Sequence, residues 1–182
     1  MILLMGIAGS GKGTQGKMLA DQHGLHLISM GDVLRMYVTG AQREKMLAGG
    51  LLDDQEIIAI IDKVFTSLND NNDILMDGFP RTIPQAEWLM EQVKAGRFDL
   101  SAALHLVASR DAVKERLLKR ARIDDTEAAI EARFDEYERS TQPLIDWLKE
   151  HDVKVVNINA EQSVEAVNAD LVKALEETNP IT

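Results

Sequence analysis

Short apolar segments alternate with longer amphipathic segments along the chain. Runs rich in Ile, Leu and Val that predict strands are Ile2 to Met5, Leu25 to Met30, Asp73 to Met76, Ala102 to Ala108 and Val153 to Ile158. Apolar runs of this length, separated by helical segments, are typical of parallel strands that are buried on both faces. The pattern therefore predicts an α/β fold with a parallel sheet between two layers of helices.

The segments between these strands have apolar residues three and four positions apart, as on one face of a helix. The clearest stripes are Val164, Val167, Leu171 and Leu175, and Ile57, Ile60, Ile61 and Val64. Ser163 is a candidate N-cap for the first helix, and Asp53 or Asp54 for the second. We expect both stripes to lie in the core.

Composition predicts one domain over residues 1–182, in a soluble, cytoplasmic protein without disulfides. The chain has 182 residues, no cysteine and no low-complexity linker, and its apolar start lacks the positive charge of a signal peptide. No apolar run reaches the roughly 18 residues of a membrane span. A net charge of -10 argues against nucleic-acid binding, so basic residues for any polyphosphate must be concentrated locally.

The first apolar run leads into Gly6–Thr14, which has the glycine spacing and lysine of a phosphate-binding P-loop. Glycine permits positive φ and lets backbone N–H groups surround a phosphate. An incidental glycine-rich turn is the alternative, but a strand before and a helix after favour the P-loop. Lys12 can reach the β- and γ-phosphates of ATP, and the Thr14 hydroxyl can contact the shell of a Mg²⁺ ion. The predicted ATP-binding residues here are Gly9, Ser10, Gly11, Lys12, Gly13 and Thr14.

A second polar segment, Asp77–Gln85, follows the third predicted strand. Asp77, at the carboxyl end of that strand, can hold the water shell of Mg²⁺. Arg81 can grip a phosphate through two parallel hydrogen bonds, and Gln85 can present its amide to a base edge. The alternatives are a surface arginine paired with a carboxylate and a solvated glutamine.

Arginines cluster after the fourth predicted strand. Arg116 and Arg120 lie one helical turn apart and Arg122 follows, which costs stability unless an anion neutralises them. Polyphosphate is one such anion, and a solvated basic face near Glu115 and Asp111 is the alternative. We expect Lys12 and Arg120 to face solvent when no ligand is bound.

The segments around Lys12 and from Asp77 to Gln85 resemble the adenylate kinases, a family of nucleoside monophosphate kinases. The resemblance extends from Met1 to the C-terminal helix. It implies a doubly wound P-loop NTPase fold with sheet order 2-3-1-4-5, and reversible Mg²⁺-dependent transfer of a phosphoryl group from ATP to AMP, giving two ADP. A UMP/CMP kinase and a nucleotide-binding regulatory protein without turnover are the alternatives.

The resemblance also assigns roles to individual residues. It implies an AMP site formed by Met30, Arg35, Leu52, Gly78, Arg81 and Gln85, with its flap at about residues 30–59. Met30 departs from the threonine of adenylate kinases and the alanine of uridylate-cytidylate kinases, whereas Gln85 favours AMP because pyrimidine-specific relatives have asparagine there.

On the ATP side, the resemblance places Arg116, Ala160 and Gln162 near the ATP base, although Ala160–Gln162 can equally be an ordinary connection. It implies that Arg120, Arg122 and Arg133 surround the transferred phosphoryl group. The residues it marks as catalytic are Lys12, Arg81, Arg120, Arg122 and Arg133.

The lid of this family is reduced to about residues 120–123, because only Ala121 separates Arg120 from Arg122. One residue cannot form a lid or a zinc site. We expect that the loss of the lid weakens ATP binding, allows water to hydrolyse the phosphoryl group, or is compensated by a neighbouring subunit in a trimer. A monomer is the alternative. Asp124 and Asp125 either orient the arginines or cap the next helix, and the histidines are expected to be structural.

Overall fold

A computed structural model of the chain describes residues 1–48, 50–68 and 73–178. Within these ranges one parallel sheet has the order β2-β3-β1-β4-β5. Its strands are β1 (Ile2–Met5), β2 (His26–Ser29), β3 (Ile74–Asp77), β4 (Ala102–Val107) and β5 (Val155–Asn159). The predicted fold class and strand order are confirmed, with strand ends shifted by a residue or two.

Helices connect the strands and cover both faces of the sheet. They are α1 (Lys12–His23), α2 (Met30–Tyr37), α3 (Gly40–Leu47), α4 (Asp54–Thr66), α5 (Ile83–Lys94), α6 (Arg110–Arg120), α7 (Glu127–Glu136), α8 (Gln142–Glu150) and α9 (Val164–Thr178). A π-helical turn, Tyr137–Thr141, joins α7 to α8. No helix in the described part of the chain combines the length and apolar character needed to cross a membrane.

The core consists of two main layers, one on each face of the sheet. Leu3 and Met5 pack in a cluster with residues of α4, α5 and α8, whereas Ile2 and Leu4 pack in a cluster with residues of α1 and α9. Successive side chains of a strand point to opposite faces, so β1 contributes to both layers. This central burial fixes the segment after β1 at the carboxyl edge of the sheet.

The two predicted helical stripes are largely confirmed. In α9, Val167, Leu171 and Leu175 are buried, but Val164 is 45% exposed, so its assignment to the core was wrong. Val164 is the first residue of α9, so no preceding turn of the helix covers its side chain. In α4, Ile57 and Ile61 are buried and their stripe neighbours are partly buried.

Both candidate N-caps can be tested by their hydrogen bonds. Ser163 Oγ accepts from the N–H of Ala166 at 3.2 Å, and Asp53 Oδ1 accepts from the N–H of Gln55 at 2.9 Å. These bonds satisfy N–H groups that the first helical turn leaves free. Asp53, and not Asp54, is therefore the cap of α4.

Candidate active site

One cavity of about 860 Å³ opens at the carboxyl edge of the sheet. All the residues that the sequence predicted for the site contribute to its lining. They are Gly9, Ser10, Gly11, Lys12, Gly13, Thr14, Met30, Arg35, Leu52, Asp77, Gly78, Arg81, Gln85, Arg116, Arg120, Arg122, Arg133, Ala160 and Gln162. The fold brings them together because the carboxyl ends of neighbouring parallel strands meet at one edge.

Three glycines give the loop after β1 its shape. Gly6, Gly9 and Gly11 have φ of +136°, +92° and +107°, which other residues rarely adopt. A Cβ on Gly6 would lie 2.6 Å from Leu106 O. The loop therefore needs glycine at Gly6 both for its backbone angle and for its contact with β4, and it delivers the N-terminus of α1 to the cavity.

Lys12 turns its ammonium group back onto this loop. Its Nζ donates to Gly6 O at 2.6 Å and to Ile7 O at 2.9 Å. Burial lowers the pKa of Lys12 to about 8, although the nearby Asp77 carboxylate opposes the shift. The expectation that Lys12 faces solvent was wrong, because its half-buried side chain turns the ammonium group onto backbone carbonyls of the loop.

Arg81 lines the same cavity and is held by backbone groups. Its Nε donates to Gly78 O at 2.9 Å, and its carbonyl oxygen accepts from Thr141 Oγ1 at 3.1 Å. Gly78 has φ of +82°, and a Cβ there would lie 2.9 Å from Arg81 Nη2. Burial lowers the pKa of Arg81, while Asp77 opposes this shift. Arg81 is a half-buried cation aimed at the cavity, not a surface arginine.

Gln85 is only 3% exposed, so the alternative of a solvated glutamine is wrong. Its Oε1 accepts from the N–H of Arg81 and its Nε2 donates to Asp54 Oδ1, both at 2.8 Å. Met30 and Leu52, also buried, line the same cavity. This part of the site is an apolar pocket with an oriented amide.

Arg35 lies at the more exposed margin of this pocket, on α2. Its Nη2 donates to Asp32 Oδ1 at 2.7 Å. Burial acts to raise the pKa of Asp32, but hydrogen bonds from Arg35 and Ser29 outweigh it and the pKa is lowered. The guanidinium is oriented by an exposed partner that an incoming anion can readily replace.

Arg116 connects the P-loop to the turn after β5. Its Nη2 donates to Ala160 O at 2.7 Å and its Nη1 to Ser10 O at 3.4 Å. Gln162 Nε2 donates to Asn159 O at 3.1 Å, which shapes the same turn. Because Arg116 binds these backbone groups, the interpretation of the arginine cluster as a merely solvated face is wrong for this residue.

Asp125 collects hydrogen bonds from three arginines. Arg120 donates through Nε at 2.8 Å and Nη2 at 2.6 Å, Arg133 through Nη1 at 3.0 Å, and Arg122 through its backbone N–H at 3.1 Å. The Asp125 side chain has no exposed surface. Burial acts to raise its pKa, but these hydrogen bonds prevail and lower it to about 2.

Asp124 and Asp125 do not cap α7. Thr126 occupies that position, and its Oγ1 accepts from the N–H of Ala129 at 3.2 Å. Asp124 instead pairs with Arg133. The expectation that Asp124 or Asp125 caps the next helix was therefore wrong. Both carboxylates contact arginines, as the other alternative predicts.

A short turn stands where a lid is expected. Ala121 ends α6 with φ of 52°, its N–H donating to Leu117 O at 3.2 Å, and Asp125 N donates to Arg122 O at 2.9 Å. Ile123 is 90% exposed within this turn. The chain thus passes from α6 to α7 without leaving the margin of the cavity.

Comparison with known proteins identifies the family. The adenylate kinase family model matches residues 4–153. The chain is 36% identical to an adenylate kinase of Bacteroides thetaiotaomicron over 186 residues, which cover 97% of this chain and 98% of that protein. It is 32% identical to an adenylate kinase of Nitrobacter hamburgensis over 192 residues, covering 97% and 92% of the two chains. The chain belongs to the adenylate kinase family.

Membership of the adenylate kinase family makes this chain a nucleoside monophosphate kinase, a phosphotransferase. It also agrees with the P-loop fold described above. An adenylate kinase of Corynebacterium urealyticum is 36% identical over 164 residues, 87% of this chain and 89% of that protein.

Some residues that line this adenylate kinase family site could not be predicted from the sequence, among them three near the end of α7. Glu136, Tyr137 and Thr141 line the cavity from the π-helical turn and its border. A π-helical turn interrupts the spacing of three and four, so helical periodicity carries no signal for it. The Tyr137 hydroxyl lies 2.6 Å from His105 Nε2, whose ring also contacts Asn157 Oδ1 at 2.9 Å. These contacts agree with the structural role expected for His105.

Proposed function

We propose that the chain catalyses the reversible transfer of the γ-phosphoryl group of ATP to AMP, with Mg²⁺, to give two ADP. The observation that carries the proposal is that the P-loop and Arg81 line one cavity together with Arg120 and Arg133. A phosphate cradle and a second phosphate-binding cation are what two nucleotide substrates require. The chain works as a single kinase domain, with residues 30–59 as the AMP flap, in the cytoplasm.

On the donor side, the P-loop N–H groups and the positive end of α1 hold the phosphates of ATP. Lys12 exchanges its two carbonyl contacts for phosphate oxygens. Arg116, fixed between Ser10 and Ala160, lies near the adenine and the phosphates, with Gln162 beside the base. The support for these roles is that all of them line the cavity next to the loop.

The residues present fit a Mg²⁺ ion. The Thr14 hydroxyl and the Asp77 carboxylate line the cavity, and Mg²⁺ prefers oxygen ligands while retaining water. Within the described ranges, no group of three or more His, Cys, Asp and Glu side chains could hold a metal alone. Thr14 and Asp77 would hold the ion through its water shell. When bound, Mg²⁺ neutralises charge on the phosphates.

On the acceptor side, Arg81 and Arg35 hold the phosphate of AMP, and Gln85 meets the base among Met30 and Leu52. Arginine forms paired hydrogen bonds with phosphate that lysine cannot copy. Gly78 lets Arg81 lie close to the backbone. Met30 stands where other adenylate kinases have threonine, and its polarizable thioether can pack against a flat base.

In the transfer, an oxygen of the AMP phosphate attacks the γ-phosphorus of ATP. The bond from the γ-phosphorus to the oxygen that bridges it to the β-phosphorus breaks, and ADP leaves with that oxygen. Arg120, Arg122 and Arg133 neutralise charge that spreads over the transferred group. Arginines in this position can contribute roughly 10³ to 10⁵ in rate. The Asp125 contacts place Arg120 and Arg133 before substrate binds.

The short turn at residues 120–123 is compatible with two states of assembly. Either the protein is a monomer with an open active site, or it is an oligomer, such as a trimer, in which a neighbouring subunit covers the site. Sedimentation distinguishes the two. Full activity at concentrations where the protein sediments as a monomer contradicts the oligomer.

A substrate panel tests the proposed function. With ATP and Mg²⁺, we expect diphosphate from AMP and little from UMP or CMP. Preferred use of UMP or CMP identifies the alternative kinase, and ATP binding without any product identifies a regulatory protein.

A further inference from the structure

The amide of Gln85 is anchored at both ends. Its Oε1 accepts from the N–H of Arg81, and its Nε2 donates to Asp54 Oδ1, each at 2.8 Å. A backbone N–H can only donate and an ionised carboxylate can only accept. The amide therefore fits one way round, with nitrogen toward Asp54 and oxygen toward Arg81.

Asp54 is itself held in place. Its Oδ1 also accepts from Thr82 Oγ1 at 2.7 Å. Because Asp54 is the first residue of α4 and Thr82 is the N-cap of α5, this hydrogen bond joins the starts of the two helices. In the described residues, Asp54 does not contribute to the cavity lining, whereas Gln85 does. Asp54 thus acts on the cavity through Gln85.

Reversing the amide would be costly. It would set Gln85 Oε1 against the Asp54 carboxylate and Nε2 against the N–H of Arg81, and both good hydrogen bonds would be lost in a buried position. In the observed orientation, Nε2 keeps one N–H and Oε1 keeps one lone pair. These two remaining groups form a fixed donor and acceptor pair.

We propose that Asp54 is a positioning residue that makes the site select 6-amino purines over 6-oxo purines. This rests on the proposed function, in which the base of a monophosphate meets Gln85. A 6-amino purine presents an amino donor and an N1 acceptor, which match the lone pair of Oε1 and the N–H of Nε2. A 6-oxo purine presents the reverse pattern, because its O6 accepts and its N1–H donates.

The direction of approach makes this match selective. Arg81 and Arg35 fix the phosphate end of the acceptor, so the base cannot turn end over end to present its other pattern. A 6-oxo purine must then either flip the amide against Asp54 or leave two buried groups mispaired. The shape of the pocket contributes nothing to this choice, since the two purines have almost the same size.

The test compares AMP with IMP, which differ at these two base positions, in wild-type protein, Asp54→Asn and Asp53→Asn. Asp53→Asn is the matched control, because it removes the same charge one residue away, keeps a good N-cap and does not contact Gln85. We expect Asp54→Asn to lower the AMP-over-IMP ratio of kcat/KM by about tenfold or more, since one anchor no longer opposes the flip. The change lies in KM for the monophosphate, and KM for ATP stays constant.

The outcomes separate this inference from the proposed function. A wild-type protein that phosphorylates neither AMP nor IMP contradicts the proposed function. If the wild-type protein uses AMP, the role of Asp54 is tested separately. A ratio of kcat/KM for AMP over IMP in Asp54→Asn that lies within about twofold of the ratio in Asp53→Asn overturns that role alone.

If Asp54→Asn does not fold, the role of Asp54 can be tested by a measurement on the wild-type protein. The structure predicts a scalar coupling across the hydrogen bond from Gln85 Nε2 to the Asp54 carboxyl carbon in NMR spectra without ligand. Its absence in a protein that shows resolved Gln85 amide resonances also overturns the role of Asp54.

Discussion

Arg120 and Asp125 form a two-point ion pair in which Nε and Nη2 of the guanidinium contact separate carboxylate oxygens at 2.8 and 2.6 Å. The carboxylate is fully buried, and the pair spans the turn that stands in place of a lid. A paired geometry fixes the plane of the guanidinium as well as its position. The protein itself therefore sets the direction of Arg120, which would lower the cost of ordering it in the proposed transfer.

Replacing Asp125 tests this arrangement. In Asp125→Asn the charge that holds Arg120 and Arg133 is lost, and we expect kcat to fall about 100-fold or more. The free energy of unfolding should fall by about 2 to 4 kcal/mol, because a largely buried pair is broken. Chemical denaturation and initial rates measure the two effects.

The control is Glu131→Gln, which breaks the more exposed pair of Glu131 with Arg110. It should change the free energy of unfolding much less than Asp125→Asn does, because exposed ion pairs contribute little, and it should leave kcat unchanged. Equal rates for Asp125→Asn and this control would contradict a positioning role for Asp125.

The pKa of Asp125 predicts a dependence of stability on pH. Its folded pKa of about 2 lies below the ordinary value of 3.8, so its contribution is complete above pH 4 to 5 and is lost as pH falls from about 4 through 2. The contribution is on the order of 2 kcal/mol. Urea denaturation between pH 5 and pH 2.5 should show a smaller acid loss in Asp125→Asn than in wild-type protein. Identical slopes would show that Asp125 titrates normally.

Lys12 should matter for the reaction and not for the fold. Its pKa is lowered from 10.5 to about 8, so below pH 8 the folded state carries a partly buried cation at a cost. Between pH 8 and 10.5 only the unfolded state binds this proton, and stability rises with pH. Lys12→Met should therefore keep or raise Tm at pH 7 and abolish this rise, while phosphoryl transfer falls at least about 100-fold.

Lys149→Met is the control for this change, because Lys149 pairs with Asp146 on the exposed side of α8. It should alter neither the rate nor the pH dependence. A Lys12→Met protein that loses stability in proportion to its activity would assign Lys12 a structural role.

Two glycines of the P-loop segment should respond oppositely to alanine. At Gly6 a Cβ meets Leu106 O at 2.6 Å in a backbone with φ of +136°, so Gly6→Ala should lower the free energy of unfolding by at least about 2 kcal/mol. At Gly13 a Cβ meets nothing within 4 Å in helix α1, so Gly13→Ala should raise it by about 0.5 to 1 kcal/mol. Denaturant midpoints measure both, and equal effects would contradict the described loop geometry.

The strands and the P-loop could be predicted from local patterns, whereas the strand order and most of the residues around the cavity were implied by the resemblance to the adenylate kinases. Buried parallel strands are continuous apolar runs, and the P-loop depends on glycine positions that are visible in the chain. Asp53 could not be separated from Asp54 as a cap, since both have the same chemistry and differ only in where the helix begins.

Side-chain partners were much less predictable than positions. Whether Asp125 caps a helix or holds arginines depends on how α6 and α7 approach each other, and this is a tertiary property. The inward turn of Lys12 depends on backbone carbonyls, which have no sequence signature. The orientation of Gln85 depends on the side chain of Asp54, which is 31 residues away in the chain. The π-helical turn that carries Thr141 to Arg81 breaks the periodicity on which helix prediction rests.

The reverse reaction with a single substrate tests the central claim most directly. ADP and Mg²⁺ alone are incubated with the protein, and the nucleotides are followed by phosphorus NMR. We expect ATP and AMP to appear in equal amounts, chelation of Mg²⁺ to stop the reaction, and Arg120→Ala to abolish it. A protein that leaves ADP unchanged, but converts ADP once UDP or CDP is added, would contradict AMP as the acceptor.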